Sequence, residues 1–419
     1  MLWLWPVVVA LLFGWWSSVV PPIGIGGETS CNNPVEGLVD VIDGFPFTCG
    51  LHHVASGGTG PLEVYAYIQP NGSWCWSNSG VIVNKLSKES ILVDTLTDER
   101  LTNLMLSDMK PILDKAPLKT LVHTHGDIDH VYGNGAVANL VDSIVISKSG
   151  APTMLEKLPN PKLYSFVTSL AQHIWYLVGN VNNITLSPGF VQTLNSLNPR
   201  VKEPLVAILG FFRATLWFQP FAFSKVTWNA QTWAHLMRTF EGSEQVQLGD
   251  ETVELLQTKP SHSYGDAVVL VRSARVVFTG DLLLGGSSPI MWHGPVQNML
   301  ESLDFLLALP VDYYIPGHGP VFKADFVRLQ REYWVYVQAT AAKCLEDSLD
   351  SDACGLKALN GLPPKFHAWG DRERMLTNIW VELNQLATQG QFKVSVANKL
   401  KQLGKMGGYV VKQELARQR

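Results

Sequence analysis

The sequence predicts an α/β sandwich. Three observations carry that reading: two blocks of short β-branched strands, a helical stretch after each block, and an aromatic interruption of helical texture between them. The chain has 419 residues, 46% hydrophobic and 16% charged, a composition able to bury a large core. Net charge is −4 and no basic block occurs, which argues against nucleic acid as a partner.

The first block starts at Leu62. Val64 to Ile68 reads as a strand, Pro70-Asn71-Gly72-Ser73 as a turn, and Val81 to Val83 and Ile91 to Asp94 as further strands. Asp98 to Leu113 has helical apolar spacing through Leu101, Leu104, Met105, Met109 and Ile112. Thr120 to Val122 and Ser143 to Ser147 are strands again. Residues 152–240 break the rhythm. Within them Leu205 to Phe223 is very apolar and reads as a buried helix, a lid or a membrane-contacting surface. The second block holds strands at Gln245 to Leu248, Val253 to Leu256, Ala267 to Val271 and Arg275 to Phe278. A helix over Asn298 to Leu309 and a strand over Asp312 to Ile315 follow. Beyond Lys323 the chain reads as helical to the end, broken near Cys354 and at Leu362-Pro363-Pro364.

This gives an apolar segment over 1–22, an irregular arm over 23–61, a main domain over 62–323 carrying the insertion 152–240, and a helical extension over 324–419. Met1 to Val20 is almost wholly apolar and no Lys or Arg precedes Lys85. The segment reads as a signal peptide or membrane anchor, with an apolar arm packed on the fold as the alternative. Sequons at Asn71 and Asn183 point the same way, toward a secreted glycoprotein. Membrane-anchored and intracellular placements are the alternatives. Five cysteines occur, and Cys344 and Cys354 flank an acidic, helix-breaking stretch suited to a local disulfide.

The chemistry concentrates in Thr124-His125-Gly126-Asp127-Ile128-Asp129-His130, directly after a strand. Imidazole and carboxylate together suit Zn²⁺, Mn²⁺ or Fe²⁺. In extended chain, positions i, i+2 and i+4 point one way, so His125, Asp127 and Asp129 can converge while His130 takes a second direction. The competing reading is a polar loop with histidines by chance. Three later positions argue against chance: His262 in Ser261-His262-Ser263, Asp281 after Phe278-Thr279-Gly280, and His318 in Gly317-His318-Gly319. Each sits at a strand edge beside or near glycine.

These four motifs in this order resemble the metallo-β-lactamase superfamily, with Asn78 to Val83, Leu92 to Thr95 and Gly133-Asn134 in support. The resemblance spans Leu62 to Val321 and implies a four-layer αββα sandwich with the site at one edge of the paired sheets. It implies that His125, Asp127 and His262 hold one metal, that Asp129, His130 and His318 hold a second, and that Asp281 bridges them. The family's second histidine is replaced here by Asp127. A carboxylate is a harder ligand than imidazole and weakens the preference for zinc over Mn²⁺ or Fe²⁺. His123 does not restore the pattern and is expected to support the site from behind.

The resemblance implies a binuclear hydrolase. Two divalent ions, zinc first, would carry a bridging hydroxide onto an ester, thioester, lactone or lactam carbonyl. Asp129 would orient the nucleophile and pass on its proton. Tyr132, Tyr264 and His293 lie near the motifs and are candidates for the substrate pocket. An iron-dependent redox enzyme and a phosphodiesterase on the same fold are the alternatives. The tryptophan-rich insertion favours an apolar or amphipathic small molecule as substrate.

Overall fold

Residues 41–42, 45–46, 49–57, 60–69, 74–155, 161–180, 184–218 and 229–417 are described by a computed structural model of the chain. The apolar segment 1–22, both sequon asparagines, Pro220 and Cys31 fall outside them.

Two sheets form the frame. The first has seven strands in sequence order: β1 Gly50–Ser56, β2 Leu62–Ile68, β3 Ser79–Asn84, β4 Glu89–Val93, β5 Leu118–Val122, β6 Ser143–Ser147 and β7 Met237–Phe240. The second has five, also in sequence order: β8 Ser243–Leu248, β9 Glu251–Gln257, β10 Ala267–Val271, β11 Val276–Leu284 and β12 Tyr313–His318. Pairing is parallel from β4 through β7 and between β11 and β12, and antiparallel elsewhere.

Strand alternation builds the layers. Leu62, Val64, Ala66 and Ile68 of β2 face Val253, Leu255, Val269 and Val271 of the second sheet in one dry core. The intervening positions face outward. Val81 and Val83 meet Leu101, Met105 and Met109 of α1 (Glu99–Leu113). Val268 and Leu270 meet Met299, Leu303 and Leu306 of α5 (Val296–Ala308). This is the four-layer αββα arrangement. Helix α1 starts where the side chain of Asp98 accepts a 2.7 Å bond from the Leu101 amide, an N-cap that satisfies one orphan donor.

Among the described residues the insertion supplies the long helices α2 Pro161–Val178, α3 Pro188–Ser196 and α4 Pro199–Thr215. The extension supplies α6 Ala324–Glu346, α7 Ser351–Asn360, α8 Arg374–Ala387 and α9 Val396–Arg417. Insertion and extension share a core, in which Val206 and Leu209 of α4 pack with Val411 and Leu415 of α9. The two helices cross at glycines: a Cβ on Gly407 would lie 2.0 Å from the Gly210 carbonyl oxygen. Cys344 and Cys354 form a disulfide across the break between α6 and α7.

Three sequence expectations are corrected. The arm before residue 62 is not irregular throughout, because Gly50–Ser56 is an edge strand paired with β2. The insertion stops before Met237, because Met237–Phe240 pairs in parallel with β6. Both strands sit at a sheet edge and bury little, so neither shows clear alternation. Finally, α4 is half-buried rather than buried: Val206, Leu209 and Ala214 face inward while Leu205, Ile208 and Phe211 are exposed. No helix among the described residues is long and apolar enough to cross a membrane.

Candidate metal centre

All seven predicted ligands converge at one edge of the sandwich, where parallel strands end. His125, Asp127, Asp129 and His130 follow β5, with His130 in the single helical turn Ile128–Val131. His262 lies in the loop between β9 and β10. Asp281 lies within β11, which continues past the predicted end at Phe278, and His318 closes β12. The ligand atoms of His125, Asp127 and His262 lie within 4.8 Å of one another. So do those of Asp129, His130 and His318, and those of His125, His130 and Asp281.

Asp281 is the centre of the group. Its Oδ1 lies 3.2 Å from His130 Nε2, and its Oδ2 lies 3.3 Å from His262 Nε2 and 3.4 Å from His318 Nε2. Asp127 Oδ2 lies 3.2 Å from His262 Nε2, and Asp129 Oδ2 lies 3.3 Å from His318 Nε2. Gly317 makes this approach possible, since a Cβ there would sit 1.9 Å from Asp281 Oδ1.

The residues fit a pair of cations. His125 Nε2, His130 Nε2 and Asp281 Oδ1 are buried without a hydrogen bond. Such orphans are costly unless something else satisfies them. Their lone pairs aim at common points, and seven ligands exceed what one four-coordinate ion accepts.

Electrostatics binds the cluster together in the metal-free protein. Burial disfavours charge on His262 and His318, yet Asp281 acting together with Asp127 at His262 and with Asp129 at His318 raises both to about 9. Burial likewise opposes ionisation of Asp281, but the three histidines around it hold its carboxyl well below the usual range. Burial and the neighbouring His130 lower His125.

Behind the ligands stands Asp94, which follows β4. Its Oδ2 takes the Thr124 hydroxyl at 2.7 Å and faces His130 Nδ1 at 3.1 Å. Its Oδ1 accepts from the Thr124 amide at 2.8 Å and faces His123 Nδ1 at 3.3 Å. Asp94 itself adopts φ +58°, a left-handed conformation that Asp tolerates better than most residues. On the other side, His262 Nδ1 lies 2.9 Å from the Ile290 carbonyl, which leaves Nε2 facing Asp127 and Asp281. Asp266 holds that loop by accepting from the hydroxyls of Ser261 and Ser263. Asn78 donates to the carbonyls of Pro316 and Gly319 and pins the turn that carries His318.

The ligands floor a cavity of about 500 Å³. Tyr264 and His293 line it, with ring centroids 3.8 Å apart. Burial, then Lys399, lowers His293 to about 3, so it is neutral at physiological pH. Tyr132 is a correction: it is buried in the core between the first sheet and α1 and does not line the cavity. The walls include residues that no motif marked: Trp74, Trp292, Arg374, Lys399 and Leu403. They come from the connection between β2 and β3, the loop after β11 and the C-terminal helices, and no local pattern connects them.

A sequence profile described as the Metallo-beta-lactamase superfamily matches residues 72–318. The chain belongs to the metallo-β-lactamase superfamily. Its match with the hydroxyacylglutathione hydrolases of Brucella ovis and Brucella abortus is 35% identity over 75 residues. That stretch is 18% of this chain and 29% of theirs, so the chain matches under a third of those relatives' length. The stereoselective inverting sec-alkylsulfatase Pisa1 from Pseudomonas sp. superposes with a TM-score of 0.50. That likeness has 15% identity, covers 84% of this chain and 52% of that one, and concerns the fold alone. As a metallo-β-lactamase superfamily protein, the chain is hydrolase-like and carries His/Asp groups suited to divalent metal.

Proposed function

We propose that the chain is a binuclear metal-dependent hydrolase of acyl bonds in an apolar or amphipathic small molecule. The four histidines around Asp281, with Asp127 and Asp129 beside them at the floor of an aromatic-lined cavity, carry this reading. Zinc is the first choice, and the carboxylate at Asp127 weakens its advantage over Mn²⁺ or Fe²⁺. Bound divalent ions would supply Lewis acidity and a nucleophile drawn from water near neutral pH.

The chain's own residues do the rest. His125, Asp127 and His262 would hold one ion, Asp129, His130 and His318 the other, with Asp281 between them. Asp129 keeps a carboxylate oxygen at the cavity floor, where it can orient water and take its proton. The Tyr264 hydroxyl and His293 Nδ1 are buried without hydrogen bonds, so both remain available to a substrate carbonyl. Trp74, Trp292 and Ile290 exclude water from the apolar part of the substrate.

A panel of esters, thioesters, lactones and lactams, assayed with and without chelator, tests this. Chelator-sensitive turnover of at least one acyl class is expected, and its absence across the panel would overturn the reading. We also propose a secretory-pathway protein, with the N-terminal segment as signal or membrane anchor. The Cys344–Cys354 disulfide supports an oxidising compartment. Expression in a eukaryotic secretory host should yield a chain whose mobility shifts on deglycosylation; an unglycosylated, cytosolic product would refute it.

A further inference from the structure

We propose that the cavity selects an amphipathic substrate bearing an anionic group, and that Lys399 on the C-terminal helix is the residue that pairs with that group. This deepens the acyl-hydrolase reading and rests on it for the reaction, though not for the binding.

Lys399 lines the cavity from the first turn of α9 and is half-buried. Its ammonium lies 5.3 Å over the ring of Trp292, a cation–π contact that holds the side chain against the wall. Other lysines of this helix are differently placed. Lys405 pairs with Asp352 and Lys412 with Glu203, while Lys401 is exposed. Among the described residues, no carboxylate lies within ion-pairing distance of Lys399.

The second cation in the wall, Arg374, is already committed. It is almost wholly buried, pairs with Asp371 at 3.1 Å, and donates to the Ser288 carbonyl at 2.9 Å. Its guanidinium sits 4.3 Å from the Trp74 ring and so positions that wall. Trp217 stacks on Trp74 with centroids 5.2 Å apart. The cavity therefore presents rigid aromatic surface and one cation free to meet a ligand.

Charge balance gives Lys399 its role. Asp127, Asp129 and Asp281 are the carboxylates among the seven candidate ligands, and two divalent ions with a hydroxide drawn from water would about neutralise them. With the floor's charge offset in this way, an anion entering the cavity meets Lys399 as its counter-charge. The apolar part of such a ligand has a matching surface in Trp74, Trp292, Leu400 and Leu403. Carboxylate, sulfonate and phosphate share the required chemistry.

Binding to the full chain is read by tryptophan fluorescence, with decanesulfonate, decanoate, decyl phosphate and decanol as probes. Decanesulfonate is the deciding probe because sulfonate is a poor metal ligand, and each titration is run with metal and after chelation. The wild type should prefer decanesulfonate to decanol. Lys399→Met should cut that preference about tenfold or more, as expected for loss of a charge-assisted contact. Lys399→Arg should restore most of it. The three anions then rank the headgroup. An unchanged preference in Lys399→Met, or an equal loss for decanol, overturns the proposal. If the preference behaves as expected but no acyl substrate turns over, the hydrolase reading fails and the anion anchor stands.

Discussion

His130 Nδ1 lies 3.1 Å from Asp94 Oδ2, the same oxygen that accepts the Thr124 hydroxyl. One carboxylate thus orients a ligand from the second metal group and the backbone that launches the whole motif. A ring anchored at Nδ1 presents Nε2 in a fixed direction, which spares the ordering entropy on metal uptake.

Asp94→Asn should therefore lower metal affinity by about 10–100-fold while leaving the fold intact. The amide offers a donor where the Thr124 hydroxyl and His130 need an acceptor. Competition with a chromophoric chelator reads the affinity, and circular dichroism reads the fold. Asp94→Ala should be less stable than Asp94→Asn, since Ala tolerates φ +58° less well. Metal affinity equal to wild type in Asp94→Asn would remove Asp94 from this role.

Asp127→His should keep the fold and move metal preference toward zinc. The added imidazole is a softer ligand and removes one negative charge from the site. Elemental analysis after growth in mixed zinc and manganese reads the change. If neither metal content nor activity shifts, Asp127 is not a ligand and the first metal group is wrongly drawn.

Metal uptake should release protons and strengthen as pH rises. In the metal-free protein His262 and His318 hold protons up to about pH 9, whereas a metal needs them neutral. Both values lie above the ordinary imidazole 6.5, so the metal-free fold gains from these pairs fully below that pH. It loses the gain as pH rises through about 9. Calorimetry in buffers of different ionisation enthalpy counts the protons. Proton-neutral uptake at pH 7, or affinity that falls with rising pH, would contradict the assignment.

Gly407→Ala should loosen α9 from α4. The new Cβ would lie 2.0 Å from the Gly210 carbonyl oxygen, so the helices must separate, at a cost of about 1–3 kcal/mol. Hydrogen exchange should speed up together in 199–215 and 396–417 and leave the sheets alone. Gly404→Ala, whose Cβ meets nothing within 4 Å, is the control. Anion preference should weaken in Gly407→Ala too, because the same helix carries Lys399. Uniform exchange across the molecule would show that the cap does not open as a unit.

The candidate ligands were legible in the sequence because each lies in a short local motif at or near a strand end. His125 to His130, His262, Asp281 and His318 need only their neighbours to be recognised, and the layered frame followed from two blocks of short apolar strands such as β3 and β10, buried on both faces. Asp94 was visible as part of Leu92 to Thr95, but its role was not, since its partners come from a separate loop. The edge strands Gly50–Ser56 and Met237–Phe240 were missed because a strand with one neighbour buries too little to show a period. Tyr132 lay close to the motif in sequence yet went to the core. Lys399 could not be distinguished among the 32 Lys and Arg residues of the chain. It sits 81 residues beyond His318, where the family match ends, and reaches the cavity from α9, which packs on α4 at bare glycine backbone. The residue types of the candidate site can be read along the chain, since the capacity to ligate is a matter of local chemistry. Only the tertiary structure decided what the site faces, since a cavity wall is assembled by packing between elements that share no local signal.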